Sequence, residues 1–275
     1  MIFGVDVSAW QKKVDWQVLK AGGVDFALVK ASQGSQQKDA RCEQHLRGAQ
    51  AAGLLSGVYH WCDPTCRVEN QINNFMSAGA GLSFDFCALD VEQYWCSWQE
   101  WSQHQITHKL TPRQISTSAR DTATAIRERT GKPTLIYTRA SFVSDYARPM
   151  LEWLSDWDLW LAFYPFDRGR VQLEWAELTP ILQHLPASPL LPEGCREWKF
   201  WQISGDKFVL PGCNSALDLN LFQGSLADLR AWCGLDTTLP ANPEPGLNEK
   251  VERLWQAHPE LQKPALPTTK TENSA

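Results

Sequence analysis

Eight short apolar, β-branched runs recur along the first 221 residues, and what lies between them decides the architecture. They fall at residues 2–7, 26–30, 55–59, 86–91, 134–138, 159–164, 199–203 and 216–221. Helix-prone stretches at 15–21, 40–52, 67–78 and 111–130 separate the earlier runs, two of them closed by Gly53 and Gly131. Alternating strand and helix specifies a parallel sheet covered on both faces. Eight strands in this length fit a closed barrel better than an open sheet. The expected fold class is therefore α/β, a TIM-like barrel with eight mostly parallel strands. In such a barrel the functional groups gather at the C-terminal strand ends. Asp6, Lys30, Tyr59, Asp90, Glu92, Tyr137, Tyr164, Gln202 and Asp218 are all expected there.

The barrel should occupy residues 1–234. The connection at 166–197 carries Pro180, Pro186, Pro189 and Pro192 and is expected to decorate the site face or a flank. Residues 235–246 read as a proline-bearing linker. Residues 247–261 read as a short amphipathic helix with Leu247, Val251, Leu254, Trp255 and His258 on one face. Residues 262–275 read as a disordered tail. There is no internal repeat, and no second segment is large enough to bind a cell surface alone.

Composition narrows the function. A net charge of −5 with no basic block argues against nucleic acid or anionic lipid as partner. No apolar run approaches the roughly 20 residues a membrane helix needs. Met1 runs directly into the first strand without a basic, apolar leader. The reading is synthesis in the cytoplasm without a signal peptide, and action elsewhere only after release. The eight cysteines read mostly as reduced small hydrophobes, with a disulfide such as Cys195–Cys213 left open. Cys62 and Cys66 lack a second pair of ligand residues, so no metal and no cofactor are expected. Fourteen tryptophans, several just after strand runs, mildly favour a carbohydrate ligand, because sugar faces stack on indoles.

The chemistry concentrates in Phe86-Cys87-Ala88-Leu89-Asp90-Val91-Glu92, an apolar run ending in two acids at i and i+2. On a strand both would face the same side, with Cα atoms roughly 6.5–7 Å apart. Acids this close cannot both ionise freely. A protonated carboxyl held beside a carboxylate is the equipment of glycoside hydrolysis.

Nine segments in order resemble glycoside hydrolase family 25, the Chalaropsis-type lysozymes or N-acetylmuramidases. They are Gly4-Val5-Asp6-Val7-Ser8-Ala9-Trp10-Gln11, Phe26-Ala27-Leu28-Val29-Lys30-Ala31-Ser32-Gln33-Gly34, Ala51-Ala52-Gly53-Leu54, Gly57-Val58-Tyr59-His60-Trp61, Ala88-Leu89-Asp90-Val91-Glu92, Ile136-Tyr137-Thr138, Leu159-Trp160-Leu161-Ala162, Trp201-Gln202-Ile203-Ser204-Gly205 and Leu217-Asp218-Leu219-Asn220. The resemblance implies an eight-stranded barrel with fewer than eight helices. It also implies cleavage of the β-1,4 bond between N-acetylmuramic acid and N-acetylglucosamine. It makes Glu92 the general acid, with Asp90, Asp6 and Asp218 assisting. Because first and last strands of a closed barrel are neighbours, Asp6 and Asp218 should meet beside the pair. Their charges, with that of Asp90, should raise the pKa of Glu92.

The expected substrate-binding residues are Tyr59, Trp61, Lys30, Tyr137, Tyr164, Trp201 and Gln202. The aromatics among them read equally as core, and Lys30 equally as a structural counter-charge to the acids. Asp6 could instead cap a helix, and Asp218 could pair with Asn220 in a turn. His60 reads as a hydrogen-bonded wall residue. Trp95, Trp98 and Trp101 would line a subsite or form the buried stripe of a helix. Gln33 stands where the family usually has Glu, and the 166–197 connection is longer than the family's. The partner expected is the peptidoglycan glycan strand, met by a monomer, in the manner of a phage or prophage endolysin. Two rival readings are a non-catalytic sugar-binding or virion-structural barrel and a chitinase-like hydrolase. The latter's Asp-x-x-Asp-x-Asp-x-Glu run is absent.

Overall fold

The computed structural model describes residues 1–237 except Cys96, His104 and Arg168, with backbone only at Trp98, Trp101, Gln105 and Ile106. The expected tail helix, the disordered tail and the linker beyond Thr237 lie outside the described residues. Eight strands close the barrel: β1 (Ile2–Val7), β2 (Val24–Gln33), β3 (Leu55–Trp61), β4 (Phe86–Asp90), β5 (Thr134–Thr138), β6 (Asp158–Ala162), β7 (Phe200–Val209) and β8 (Leu217–Phe222). Each pairs with the next in parallel through β7, and β1 with β2 completes the parallel set. β8 runs the other way, antiparallel to both β7 and β1. Short strands at Gln37–Lys38 and Val171–Gln172 extend the sheet beside β2 and β7.

Alternation along the strands sorts the sequence into two layers. One set faces the lumen. Phe26, Phe86, Phe200 and Phe222 pack there as an aromatic plug, with Phe200 5.2 Å from Phe26 and 5.4 Å from Phe86 between ring centroids. Gly4 and Gly57 make the room: a Cβ on either would stand 2.3 Å from the ring of Phe26 or Phe86. Helix α9 (Leu226–Trp232) seals this end, with Trp232 5.4 Å from Phe86 and its Nε1 donating to Asp158 at 2.8 Å. With the lower lumen filled by phenylalanine, polar side chains of the same parity collect at the other end. The opposite set, including Val29, Val58, Leu89, Ile136, Leu161 and Trp201, packs outward against the helices.

Helices α1 (Trp16–Ala21), α2 (Cys42–Ala51) and α3 (Val68–Ala78) fill the first three crossovers. The fourth is split into α4 (Trp98–Ser102), α5 (Gln105–Lys109) and α6 (Pro112–Thr130). α6 begins at a Thr111–Gln114 capping box with Pro112 in its first turn, and ends at left-handed Gly131, φ 62°. α7 (Ala140–Tyr146) and α8 (Trp175–Leu182) were not expected from periodicity. Among the described residues six connections carry helix and the β7–β8 link is a hairpin, so a helix is missing where the last strand reverses. The splitting nevertheless brings the α-helical segments to nine.

The 166–197 connection begins beside the site face, at Phe166, Asp167 and Arg170, and from α8 onward serves a flank. α8 lays Trp175 edge-on to Phe3 at 6.2 Å, with its Nε1 donating to the Pro211 carbonyl at 3.1 Å. Cys195 and Cys213, the pair left open as a disulfide, are both free thiols.

Candidate active site

Closure of the barrel places Asp6 directly opposite Asp218 in the β1–β8 register. Side chains of such a pair share a face with Cβ atoms about 5 Å apart. Asp218 is not at a C-terminal strand end, as expected, but second in a strand that runs backwards. The reversal is what brings it to the same rim. Asn220, two residues on, lies in the strand rather than in a turn with Asp218, and its Nδ2 donates to Asp6 Oδ2 at 2.8 Å.

Two amide side chains hold Asp6. The Gln202 Nε2 donates to the same oxygen at 2.8 Å, while the Gln202 Oε1 accepts from the Tyr137 and Tyr164 hydroxyls at 2.7 and 2.5 Å. Asn220 in turn accepts from the indole Nε1 of Trp160 at 2.8 Å. Trp160 stands 4.5 Å from Tyr137 and 6.0 Å from Tyr59. One lattice of hydrogen bonds thus spans five neighbouring strands. Asp6 is a buried acceptor within it, not a helix cap.

A cleft of about 320 Å³ opens above this lattice, walled by Asp6, Tyr59, Asp90, Glu92, Tyr137, Arg139, Trp160, Tyr164, Gln202, Gly205, Asp206 and Asp218. Asp90 ends β4 and is buried, with Oδ1 lacking a hydrogen-bond partner. Glu92 follows the strand end and keeps 29% of its side chain exposed at the mouth, 3.7 Å from the Arg139 guanidinium. On the far wall the Asp206 backbone N–H donates to Asp218 Oδ1 at 2.8 Å. Asp206 holds left-handed backbone, φ 57°, costly for a residue with a Cβ. Its carboxylate meets Arg170, from the 166–197 connection, at 3.3 Å.

Burial dominates the electrostatics. It pushes Asp6 up to about 7, against its two amide donors and helped by the Glu92 charge. It lifts Asp90 well above the usual carboxylate range, with the Glu92 charge adding to it and Lys30 opposing. Asp218 is raised by burial and then by Asp6, against the Asp206 N–H. Glu92 is also raised, but by burial alone, opposed by Arg139 and Lys30. The expectation that like charges raise Glu92 is corrected here. The crowding acts on Asp90 and Asp218, while the nearer cations temper Glu92.

Of the expected binding residues, Tyr59, Tyr137, Tyr164 and Gln202 line the cleft and three do not. Trp201 has the parity opposite to Gln202 and is buried in the outer layer, its Nε1 donating to the Phe163 carbonyl at 2.7 Å. Trp61 is buried beneath the loop after β4, with centroids 5.2 Å from Tyr94 and 5.5 Å from Trp95. Lys30 sits over the Trp61 ring at 4.5 Å, donates to Gln33 Oε1 at 2.6 Å, and lines a neighbouring cavity. His60 is the wall residue expected, buried and in contact with Ser32 Oγ at 2.8 Å. Trp95 lines a side groove with Glu92 and Arg139. Sequence reasoning missed Arg139, Trp160, Asn220 and Asp206 as site residues. Arg139 directly follows the Ile136-Tyr137-Thr138 strand, a position from which it could have been found.

A closed barrel whose rim gathers four raised-pKa carboxylates in an open, aromatic-walled cleft is built as a glycosidase. The comparisons agree. The model of glycosyl hydrolases family 25 matches residues 5–212, and the chain belongs to that family. Lysozyme M1 of Streptomyces globisporus is 29% identical over 233 residues, 83% of this chain and 70% of that protein. The bacterial lysozyme from Streptomyces coelicolor superposes with a TM-score of 0.68 at 26% identity, covering 84% of this chain and 96% of that one. A family GH25 lysozyme from Aspergillus fumigatus gives 0.65 at 25% identity, covering 84% and 98%. The protein is a glycoside hydrolase of the lysozyme type, a peptidoglycan-hydrolysing enzyme.

Proposed function

We propose that Glu92 is the general acid that cleaves the β-1,4 bond between N-acetylmuramic acid and N-acetylglucosamine, with Asp90, Asp6 and Asp218 assisting. The observation carrying this assignment is the division within the acid cluster. Glu92 and Asp218 are partly exposed at the cleft, on opposite walls, while Asp6 and Asp90 are buried. A proton donor has to reach the glycosidic oxygen, and Glu92 stands at the mouth for this, whereas Asp218 is tied to the far wall by the Asp206 N–H.

In this reading the Glu92 proton moves to the leaving oxygen as the bond to the anomeric carbon breaks. The unpartnered Asp90 Oδ1 accepts from the N–H of the muramic acetamido group and turns its oxygen onto that carbon. Water then attacks the anomeric carbon and returns a proton to Glu92. Asp6 and Asp218, paired across β1 and β8, favour the positive charge that develops on the sugar. Tyr59, Tyr137 and Tyr164 wall the cleft, and Gln202 holds two of these hydroxyls against Asp6. One chain builds the whole cleft, so a monomer suffices. The enzyme works on the bacterial cell wall after release from the cell that makes it.

Mass spectrometry of fragments released from purified peptidoglycan tests this directly. New reducing ends are expected on N-acetylmuramic acid. Reducing N-acetylglucosamine, or preferential cleavage of chitin oligomers, would show a different specificity.

A further inference from the structure

Beside the catalytic cleft lies a second cavity, of about 420 Å³, on the same rim. Trp10, Lys12, Lys30, Lys38 and Asp39 give it its chemistry. The two cavities adjoin across one strand pair: Lys30 on β2 pairs in register with Tyr59 on β3, which lines the cleft. We propose that this cavity takes the acidic stem peptide carried by the muramic acid of the same glycan strand. The proposal rests on the muramidase reading above.

Three features of the cavity carry it. Trp10 is 76% exposed, yet its backbone is fixed: its N–H donates to Ser8 Oγ at 3.3 Å and its carbonyl accepts from Ser215 Oγ at 3.4 Å. Ser8 and Gln11 on either side are buried, and Gln11 Nε2 ties this loop to the Ala216 carbonyl at 3.1 Å. A large apolar ring carried into water on a fixed backbone is a surface prepared for a ligand, since the backbone share of the ordering entropy is already spent. The charge is also unbalanced. Three lysines face one carboxylate, in a chain whose net charge is −5. That carboxylate is engaged, because Asp39 accepts from the backbone N–H groups of Ala9 and Arg41, both at 2.9 Å. Lys30 donates to a neutral partner, Gln33, and faces Asp39 within the cavity and the cleft acids beyond it, which leaves Lys12 and Lys38 as the cavity's excess positive charge.

The chemistry that fits is an extended chain bearing carboxylates and small apolar side chains. A stem peptide is such a chain. It hangs from the lactyl group on the muramic ring, so a sugar seated in the cleft would deliver it within a few bonds. Neutral N-acetylglucosamine offers nothing for the lysines.

The test compares kcat/KM on glycan strands bearing stem peptides with strands stripped of them by an amidase. Wild-type enzyme, Trp10→Ala, Lys38→Ala, the double variant Lys12→Ala/Lys38→Ala and the charge reversal Lys38→Glu are assayed on both. Each variant is expected to lower the ratio of peptide-bearing to stripped activity about three- to tenfold, with Lys38→Glu exceeding the effect of Lys38→Ala. An unchanged ratio, whether both activities fall together or neither falls, would overturn the stem-peptide site. Failure of the wild type to cleave either kind of strand would instead strike at the muramidase reading itself.

Discussion

At the scale of single residues, the acids divide their tasks by burial. Asp90 and Asp6 lie below the mouth, where burial raises their pKa values, while Glu92 stays near water with Arg139 beside it. Arg139 stabilises the ionised form of Glu92. Its removal should therefore raise the Glu92 pKa and let the acid stay protonated at higher pH. In Arg139→Ala the alkaline limb of the kcat/KM profile is expected to move up by about half to one unit. An unmoved limb would detach Arg139 from the acid. Asp6 yields a prediction about stability. Its pKa rises from 3.8 to about 7 on folding, so the folded state holds the proton more tightly. The associated stability is complete below the unfolded value and is lost as pH climbs through 7, amounting to about 4 kcal/mol at most. Thermal unfolding at pH 4.5 and pH 8 should show a smaller decline in Asp6→Asn than in wild type. Equal declines would mean that Asp6 is ionised in the folded protein throughout.

At the scale of the elements, the barrel works because one parity of each strand is devoted to the lumen. Gly57 is a close-approach position, where a Cβ would meet the Phe86 ring at 2.3 Å. Gly57→Ala should cost about 1–3 kcal/mol in urea denaturation, since the plug that would have to yield is packed on all sides. A neutral result would show that the plug repacks freely. The strands themselves were legible in the sequence: 2–7 and 134–138 match to the residue, because apolar runs bounded by breakers carry a local signal. The facing of individual aromatics was less so. Trp201 and Gln202 were both assigned to the site, although neighbours on a strand point to opposite sides, and only the register shows which faces the lumen. Trp61 has the parity of Tyr59 but is roofed by Tyr94 and Trp95, a contact made by a later loop. Asn220 and Trp160 were quoted only within motifs, because their role is to hold Asp6 from strands that follow it by more than 150 residues in sequence.

At the scale of the whole molecule, the decisive event is the reversal of the last strand. An eighth parallel strand would present its C-terminal end at the rim. The hairpin from β7 presents the beginning of β8 instead, which sets Asp218 against Asp6. The chain turns back between Val209 and Leu217, and that reversal could not be read from periodicity. The acid cluster was legible because its members stand in short motifs, whereas Arg139 and Asp206 owe their places to closure. All eight strands and the sealing helix lie before residue 233, within a compact unit, Met1–Thr237. A chain cut after Thr237 should keep its Tm within about 3 °C and retain activity on soluble glycan fragments. A collapse of either would assign a structural role to the remaining residues.

The central claim is that the carboxyl of Glu92 supplies the proton that breaks the glycan. Glu92→Gln keeps the side chain's shape and cannot donate that proton. Turbidity loss of purified peptidoglycan, measured beside thermal unfolding, should fall by at least about a thousandfold with an unchanged Tm. Clearing at the wild-type rate by a folded Glu92→Gln enzyme would contradict the account.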